Sequence, residues 1–155
     1  MIKKTASAHW SGSLKDGKGR MSTQSGALDA QPYGFNTRFE GLPGTNPEEL
    51  IGAAHAGCFS MAFSMILGDY DAVPDAIDTK ATVSLEKQGD GFAITHVRPD
   101  MPARIPGTRH DDFPQAAKTA KENCPVPNVP ARAEPHLEHS PPNRPRHIWP
   151  PPSTP

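Results

Sequence analysis

The sequence predicts an α+β fold in which antiparallel strands surround one long apolar helix. Three observations point to it. A capped helix start at Asn46 leads into an apolar run that ends at Gly68, short strand-like segments precede this run, and alternating segments follow it. Strands grouped before and after a helix are typical of α+β domains. The length of 155 residues suggests one domain.

The composition limits the classes of partner. Hydrophobic residues make up 35% and charged residues 21%, which is enough for a core but not a rich one. The formal net charge is −1, so no basic excess favours nucleic acid or an anionic membrane, and we expect neither as a partner. Two lysines lie near the N-terminus, but residues 6–19 supply no apolar core for a signal peptide. We therefore expect a cytoplasmic protein.

The segment before the long helix has the pattern of short strands and turns. Residues 8–14 are expected to form a strand, and Asp16 to Gly19 carries a turn signal. Residues 21–28 are the expected return strand. Gln31 to Gly34 is typical of a turn, and residues 35–39 of a further short strand.

The helix start is the strongest local signal. Asn46 is a suitable N-cap, Pro47 occupies the first helical position, and Glu49 follows three residues after the cap. The apolar residues of the run 50–67 are not confined to one stripe, so the helix has to be covered on nearly all sides. A membrane span is disfavoured because the run contains polar residues and lacks basic or aromatic anchors. A sheet on one side and a second subunit on the other would cover it.

The second half of the chain returns to strands and then to a shorter helix. Residues 76–86 alternate between apolar and polar, and residues 92–97 form the return strand. Pro99 and Pro102 are expected to interrupt any continuation of that strand. Residues 111–123 have apolar side chains at helical spacing and predict the second helix.

A change of composition near Val126 divides the chain. Ten of the 19 prolines lie in residues 127–155, a stretch that can form neither a helix nor a central strand. We expect a globular domain over residues 1–126 and an irregular, disordered proline-rich tail over residues 127–155.

The two cysteines carry the candidate chemistry, and their residues alone leave its nature open. Cys58 lies in the middle of the long helix among small residues, and Cys124 directly follows the second helix. They lack CxxC spacing, so inert thiols, metal ligands and redox groups all remain possible. The histidines are scattered, and we expect no metal and no cofactor. His55 lies three residues before Cys58 on the same helix face, which permits a hydrolase-like pair, although a packed histidine is favoured.

Four segments carry a family resemblance, and they occur in the family's order. They are Gln31–Gly41, Gly44–Ala62, Gly91–Thr95 and Ala120–Val126. The chain over roughly residues 8–126 resembles the OsmC family, the osmotically inducible hydroperoxide reductases related to Ohr. The Tyr-Gly-Phe-Asn-Thr-Arg stretch at 33–38 favours the OsmC branch.

The resemblance implies a fold and a set of site residues. The fold would be an intertwined α+β homodimer with the long helix at its centre and with both subunits contributing to each site. Cys58 matches the peroxidatic cysteine and Cys124 the resolving one. Arg38 matches the active-site arginine and Glu48 its partner carboxylate.

The implied activity is the thiol-dependent reduction of organic hydroperoxides, and less well of hydrogen peroxide, in oxidative and osmotic stress. Only a thiolate attacks the peroxide bond, and a neighbouring guanidinium favours that form. The resulting sulfenic acid on Cys58 would condense with Cys124 to a disulfide. A dithiol or a lipoyl-bearing protein would then restore both thiols.

The resemblance ends at Val126. The family normally continues with a short helical segment and a closing strand, whereas this chain stays proline-rich, and we interpret the tail as out of register with the ancestral reading frame. Two alternatives to the peroxidase remain open. One is a non-catalytic small-molecule-binding protein on the same fold, and the other is a hydrolase that uses Cys58 and His55.

Overall fold

The computed structural model describes residues 1–105 and 112–126. The predicted proline-rich tail therefore lies outside the described residues. The described elements run in the order of three strands, a short helix, a long helix, four strands and a third helix. This order agrees with the predicted α+β class.

The first three strands form an antiparallel sheet in the order β1-β2-β3. They are β1 (Ala6–Ser11), β2 (Lys18–Thr23) and β3 (Gln31–Tyr33). The predicted hairpin is present, but the return strand begins and ends earlier than residues 21–28. Gln31–Tyr33, predicted as part of a turn, pairs with Gly19–Met21 as a strand.

The structure corrects the prediction for residues 35–39, which form a one-turn helix, α1 (Phe35–Phe39), and not a strand. The backbone N–H of Arg38 donates to the Gly34 carbonyl at 3.2 Å. The helical turn also brings the rings of Phe35 and Phe39 to a centroid distance of 4.8 Å. Aromatic residues four apart meet on a helix, whereas in a strand they lie on one face about 13 Å apart, so this contact favours the helix.

The long helix, α2 (Pro47–Gly68), confirms its prediction at both ends. The Asn46 side chain accepts a hydrogen bond from the Glu49 N–H at 2.8 Å. This bond satisfies one of the free donors at the helix start, and Pro47 needs none. One face of α2 is buried, and its buried residues are Gly52, His55, Phe59, Phe63, Ile66 and Leu67.

The core lies between α2 and the third helix, α3 (Asp112–Asn123). Phe63 is fully buried and meets the Phe113 ring edge-on at a centroid distance of 5.3 Å. Ala116 and Ala120 are also fully buried, and their small side chains let the two helices approach closely. This packing brings the end of α3 to the middle of α2.

The remaining strands form two small antiparallel sheets, each of two strands. They are β4 (Ala76–Ile77), β5 (Lys80–Gln88), β6 (Gly91–Asp100) and β7 (Ala103–Arg104). The structure corrects the prediction for Pro99, which lies inside β6 opposite Ala81. Within the described residues β6 pairs with β5 alone. Proline is tolerated in an edge strand, where one side of the backbone has no ladder of hydrogen bonds to interrupt.

The second face of α2 is exposed in the single chain. Met61 retains 77% and Met65 67% of their accessible surface, although both are large and apolar. By length and composition α2 also passes as a membrane-spanning helix, the only such one in the described part of the chain. Its packing against α3 and β5 is that of a core helix with one side still uncovered.

Burial of His55 on the core face gives the fold a pH dependence. The side chain is only 6% exposed, and desolvation by this burial lowers its pKa below the ordinary value. The unfolded chain therefore takes up a proton at a pH where the folded chain resists it. This contribution to stability is complete above about pH 6.5 and is lost as the pH falls below it.

We expect His55→Gln to flatten the pH dependence of stability. Wild type should lose at most about 1.4 kcal/mol of unfolding free energy per pH unit below 6.5 through this group, and the variant should not. Urea unfolding at pH 7.5, 6.5 and 5.5 measures the difference between the two proteins. The control is His96→Gln, at an exposed strand position, which should follow wild type. Parallel curves for wild type and His55→Gln would contradict the expectation.

Candidate active site

The two cysteine sulfurs lie in contact although 66 residues separate them in the sequence. The Cys124 thiol donates a hydrogen bond to the Cys58 sulfur at an Sγ–Sγ distance of 2.8 Å. Cys124 is held by the last turn of α3, where its N–H donates to the Ala120 carbonyl at 3.0 Å. Pro125 prevents the helix from continuing, so the turn ends with the thiol facing α2.

Burial distinguishes the two thiols. Cys124 is only 1% exposed, whereas Cys58 is half-buried. Burial raises the pKa of Cys124, and the hydrogen bond to Cys58 acts in the same direction against a smaller opposing effect of the Val126 backbone. Cys124 therefore stays protonated at neutral pH, and its S–H group donates the hydrogen bond to the Cys58 sulfur. Of the two cysteines, Cys58 is therefore the one that solvent reaches.

The sulfur pair is suited to closing into a disulfide. A disulfide bond is about 2.0 Å long, so the two sulfurs have to approach by less than about 1 Å. Both cysteines are free thiols in this structure. Reversible oxidation of Cys58 and Cys124 is thus sterically available without a change of fold.

Arg38 and Glu48 form the second polar pair. The Arg38 Nε lies 3.1 and 3.2 Å from the two Glu48 oxygens, and its Nη2 lies 2.7 Å from Oε1. Glu48 stands in the first turn of α2, where the positive end of the helix favours a carboxylate. The side chains are 36% and 13% exposed, so the guanidinium still reaches solvent while its partner is largely covered.

The two pairs are separate within one chain. Glu48 and Cys58 lie ten residues apart on α2, which corresponds to about 15 Å along the helix axis. The structure therefore joins Cys58 with Cys124 and Arg38 with Glu48. The roles predicted for these four residues stay predictions.

The sequence pattern did not connect Arg38 with Phe39, which lies beside it, or with Phe92, which packs on Phe39. The Arg38 guanidinium carbon lies 5.1 Å from the centroid of the Phe39 ring, and Phe39 in turn lies 5.0 Å from the ring of Phe92. In a strand, Phe35 and Phe39 would lie on one face about 13 Å apart and would not touch. The spacing of two phenylalanines four apart was the signal that favoured a helix.

The alternative pairing of Cys58 with His55 has less support from the geometry. Among the described residues, the Cys58 sulfur has its hydrogen bond with Cys124 and none with the His55 ring. The burial and lowered pKa of His55 are those of a packed neutral histidine. Within the same part of the chain, no three His, Cys, Asp or Glu side chains are grouped so as to hold a metal ion.

Comparisons with known proteins agree with this architecture. The sequence profile of the OsmC-like protein family matches residues 39–140. Peroxiredoxin OsmC of Escherichia coli (strain K12) is 55% identical over 128 residues, 83% of this chain and 90% of that protein. The organic hydroperoxide resistance protein OhrB of Bacillus subtilis is 30% identical over 49% of this chain and 57% of its own. An OsmC-like protein of unknown function from Vibrio cholerae has a TM-score of 0.64 at 19% identity, covering 83% of this chain and 94% of its own.

We expect mild oxidation with diamide to join Cys58 and Cys124 within one chain, because their sulfurs already touch. Both thiols should disappear from a thiol titration, and the denatured chain should keep its monomer mass without reductant. Cys124→Ser should retain its remaining thiol or form disulfides between chains. Wild-type chains cross-linked to one another, with no loss of two hydrogens from the monomer mass, would contradict this pairing.

Proposed function

The chain belongs to the OsmC-like protein family, and from this membership we propose that it is a thiol-dependent peroxidase acting on organic hydroperoxides, and less well on hydrogen peroxide. One observation carries the proposal. A dithiol with sulfurs 2.8 Å apart lies in a chain that is 55% identical to a peroxiredoxin. Its relatives also include a protein named for resistance to organic hydroperoxides.

Cys58 takes the first step because it is the more exposed of the two cysteines. Its thiolate attacks the outer oxygen of the hydroperoxide, and the O–O bond breaks. The sulfur is oxidised to a sulfenic acid. The inner oxygen leaves as an alcohol once it has taken a proton.

Cys124 takes the second step. Its sulfur attacks the sulfenic sulfur of Cys58, water leaves, and a disulfide forms. A dithiol reductant then attacks this disulfide and leaves oxidised itself, which returns both thiols. We propose a dihydrolipoyl group on a protein, or a comparable small dithiol, as that reductant.

Arg38 is proposed as the group that holds the reacting thiolate and peroxide, with Glu48 keeping the guanidinium in place. A guanidinium near sulfur favours the thiolate, and its remaining N–H groups can donate to the peroxide oxygens. Because about 15 Å of helix separates Glu48 from Cys58 of the same chain, we propose that Arg38 serves the Cys58 of a second copy.

The exposed face of α2 supports such a homodimer. The exposed residues of this face include Ala53, Ala54, Gly57, Met61, Ser64 and Met65, which are small or apolar and recur at helical spacing. A second copy packed on this face would remove Met61 and Met65 from water. It would also bring its own polar groups next to Gly57, the neighbour of Cys58.

The cytoplasm is the proposed location, with a role in defence against oxidative and osmotic stress. A pair of thiols that has to be reduced after each turnover works best where the surroundings keep thiols reduced. Fractionation of cells that carry the native protein tests this location.

We expect turnover to require Cys58 absolutely and Cys124 only for recycling. With cumene hydroperoxide and dihydrolipoamide, Cys58→Ser should consume no peroxide. Without reductant, Cys124→Ser should consume one equivalent of peroxide and yield a sulfenic acid that dimedone traps, and with dihydrolipoamide it should recycle more slowly than wild type. Absence of turnover by the intact, reduced protein would favour the non-catalytic binding protein. A loss in His55→Ala as large as that in Cys58→Ser would favour the hydrolase.

We expect the double variant Met61→Glu, Met65→Glu to be monomeric, because it places two charges in the proposed interface. Light scattering after gel filtration should give twice the chain mass for wild type and the chain mass for the variant. Peroxide turnover should be lower in the monomeric variant than in wild type, because each site would lose the Arg38 of the second copy. Val73→Glu is the matched control, because Val73 is 79% exposed but lies outside α2. Wild type that runs as a monomer would overturn the dimer.

A further inference from the structure

The Thr37 hydroxyl joins two segments that carry the Arg38–Glu48 pair. It accepts a hydrogen bond from the Gly34 N–H at 3.0 Å, at the start of α1. Its own proton faces two carbonyl oxygens, that of Thr45 at 2.9 Å and that of Gly34 at 3.1 Å. Thr45 directly precedes the N-cap of α2. One hydroxyl thus holds the beginning of α1 against the beginning of α2.

The methyl group of Thr37 packs closely against the backbone of Gly44, which directly precedes Thr45. A Cβ built on Gly44 would lie 2.6 Å from the Thr37 Cγ2, and Gly44 has a φ of +153°, which a residue with a side chain rarely adopts. A glycine at 44 is therefore needed for the two segments to approach this closely. The next residue, Thr45, donates its N–H to the Pro32 carbonyl at 3.3 Å.

Thr37 is adjacent to Arg38, and Glu48 follows Thr45 by three residues. The relative position of these two short segments therefore sets the distance between the guanidinium and the carboxylate. A helix of five residues does not hold its own shape in water, because nucleation costs more than its few hydrogen bonds return. Something outside α1 has to fix it, and the Thr37 hydroxyl is placed to do so.

We propose that Thr37 is a positioning residue that holds α1 against the start of α2 and so keeps Arg38 in hydrogen-bonding register with Glu48. This inference rests on the proposed function, since it assigns Thr37 to the activation of the peroxide-reducing cysteine. Thr37 itself touches neither sulfur nor peroxide. Its effect reaches the reaction through the Arg38–Glu48 pair.

Two matched pairs of side chains isolate the hydroxyl. Valine differs from the native threonine by one methyl in place of the hydroxyl, and Thr37→Ser and Thr37→Ala differ only by the hydroxyl. We expect Thr37→Val and Thr37→Ala to lower kcat/KM for cumene hydroperoxide about tenfold, the order of one lost hydrogen bond. Thr37→Ser should stay within about twofold of wild type. The Ser and Ala pair gives the same comparison should Thr37→Val fail to fold.

A double-mutant cycle with Glu48→Gln separates positioning from general stability. If Thr37 acts through the pair, Thr37→Val should cost no more than about twofold once Glu48→Gln has already removed the ion pair. If Thr37 has a purely structural role, the losses in kcat/KM of Thr37→Val and Glu48→Gln should multiply in the double variant, or Thr37→Ser should be as slow as Thr37→Val. Either result overturns the inference. If Thr37→Val is fully active while Glu48→Gln is slow, the inference about Thr37 is wrong and the proposed role of the Arg38–Glu48 pair still stands. Full activity in Glu48→Gln would overturn the proposed role of the Arg38–Glu48 pair, and the inference with it.

Discussion

The packing of α3 on α2 is the contact on which the candidate chemistry depends. Phe63 and the two small residues Ala116 and Ala120 fix how closely the helices approach and in which register. A slip of one helical turn would displace Cys124 by about 5.4 Å, whereas the two sulfurs now have to approach by less than about 1 Å to form a bond. The hydrophobic effect that drives the two helices together has no preferred direction. The register is set by the shapes of the side chains, because protein interiors are close-packed. Core packing thus brings the two sulfurs together, and the hydrogen bond between the thiols adds to a contact that the helices already impose.

The helix α2 also acts as a rigid spacer between two polar pairs. Its N-terminus holds Glu48, which is largely covered and receives Arg38, and its middle holds Cys58. The cap at Asn46 fixes where the helix begins, and every later position follows from the rise per residue. On the proposed dimer, two such spacers side by side would set the distance from one chain's arginine to the other chain's thiol.

The sequence predicted those elements whose signals are local. The cap at Asn46, the extent of α2 and the second helix follow from side chains that act on their own turn of backbone. The pairing of Cys58 with Cys124 came from the family resemblance, because no spacing rule connects residues on different helices. The helix at Phe35–Phe39 was missed because one of the contacts that hold it, from the Thr37 hydroxyl to the Thr45 carbonyl, lies outside the segment itself. Pro99 was misjudged for a similar reason, because only the sheet order shows that it lies on an edge.

The membrane-like hydropathy of α2 has a simpler source than a membrane. A surface helix needs one apolar stripe, but a helix covered on both sides needs apolar residues all round. The face with Phe59 and Phe63 is already covered by this chain, and the face with Met61 and Met65 is not. If the second face packs on another copy, the same composition that permits membrane insertion is what a central helix of a dimer requires. The small residues next to Cys58, Ala56 and Gly57, have a second effect, because they add little side-chain bulk around the half-buried cysteine.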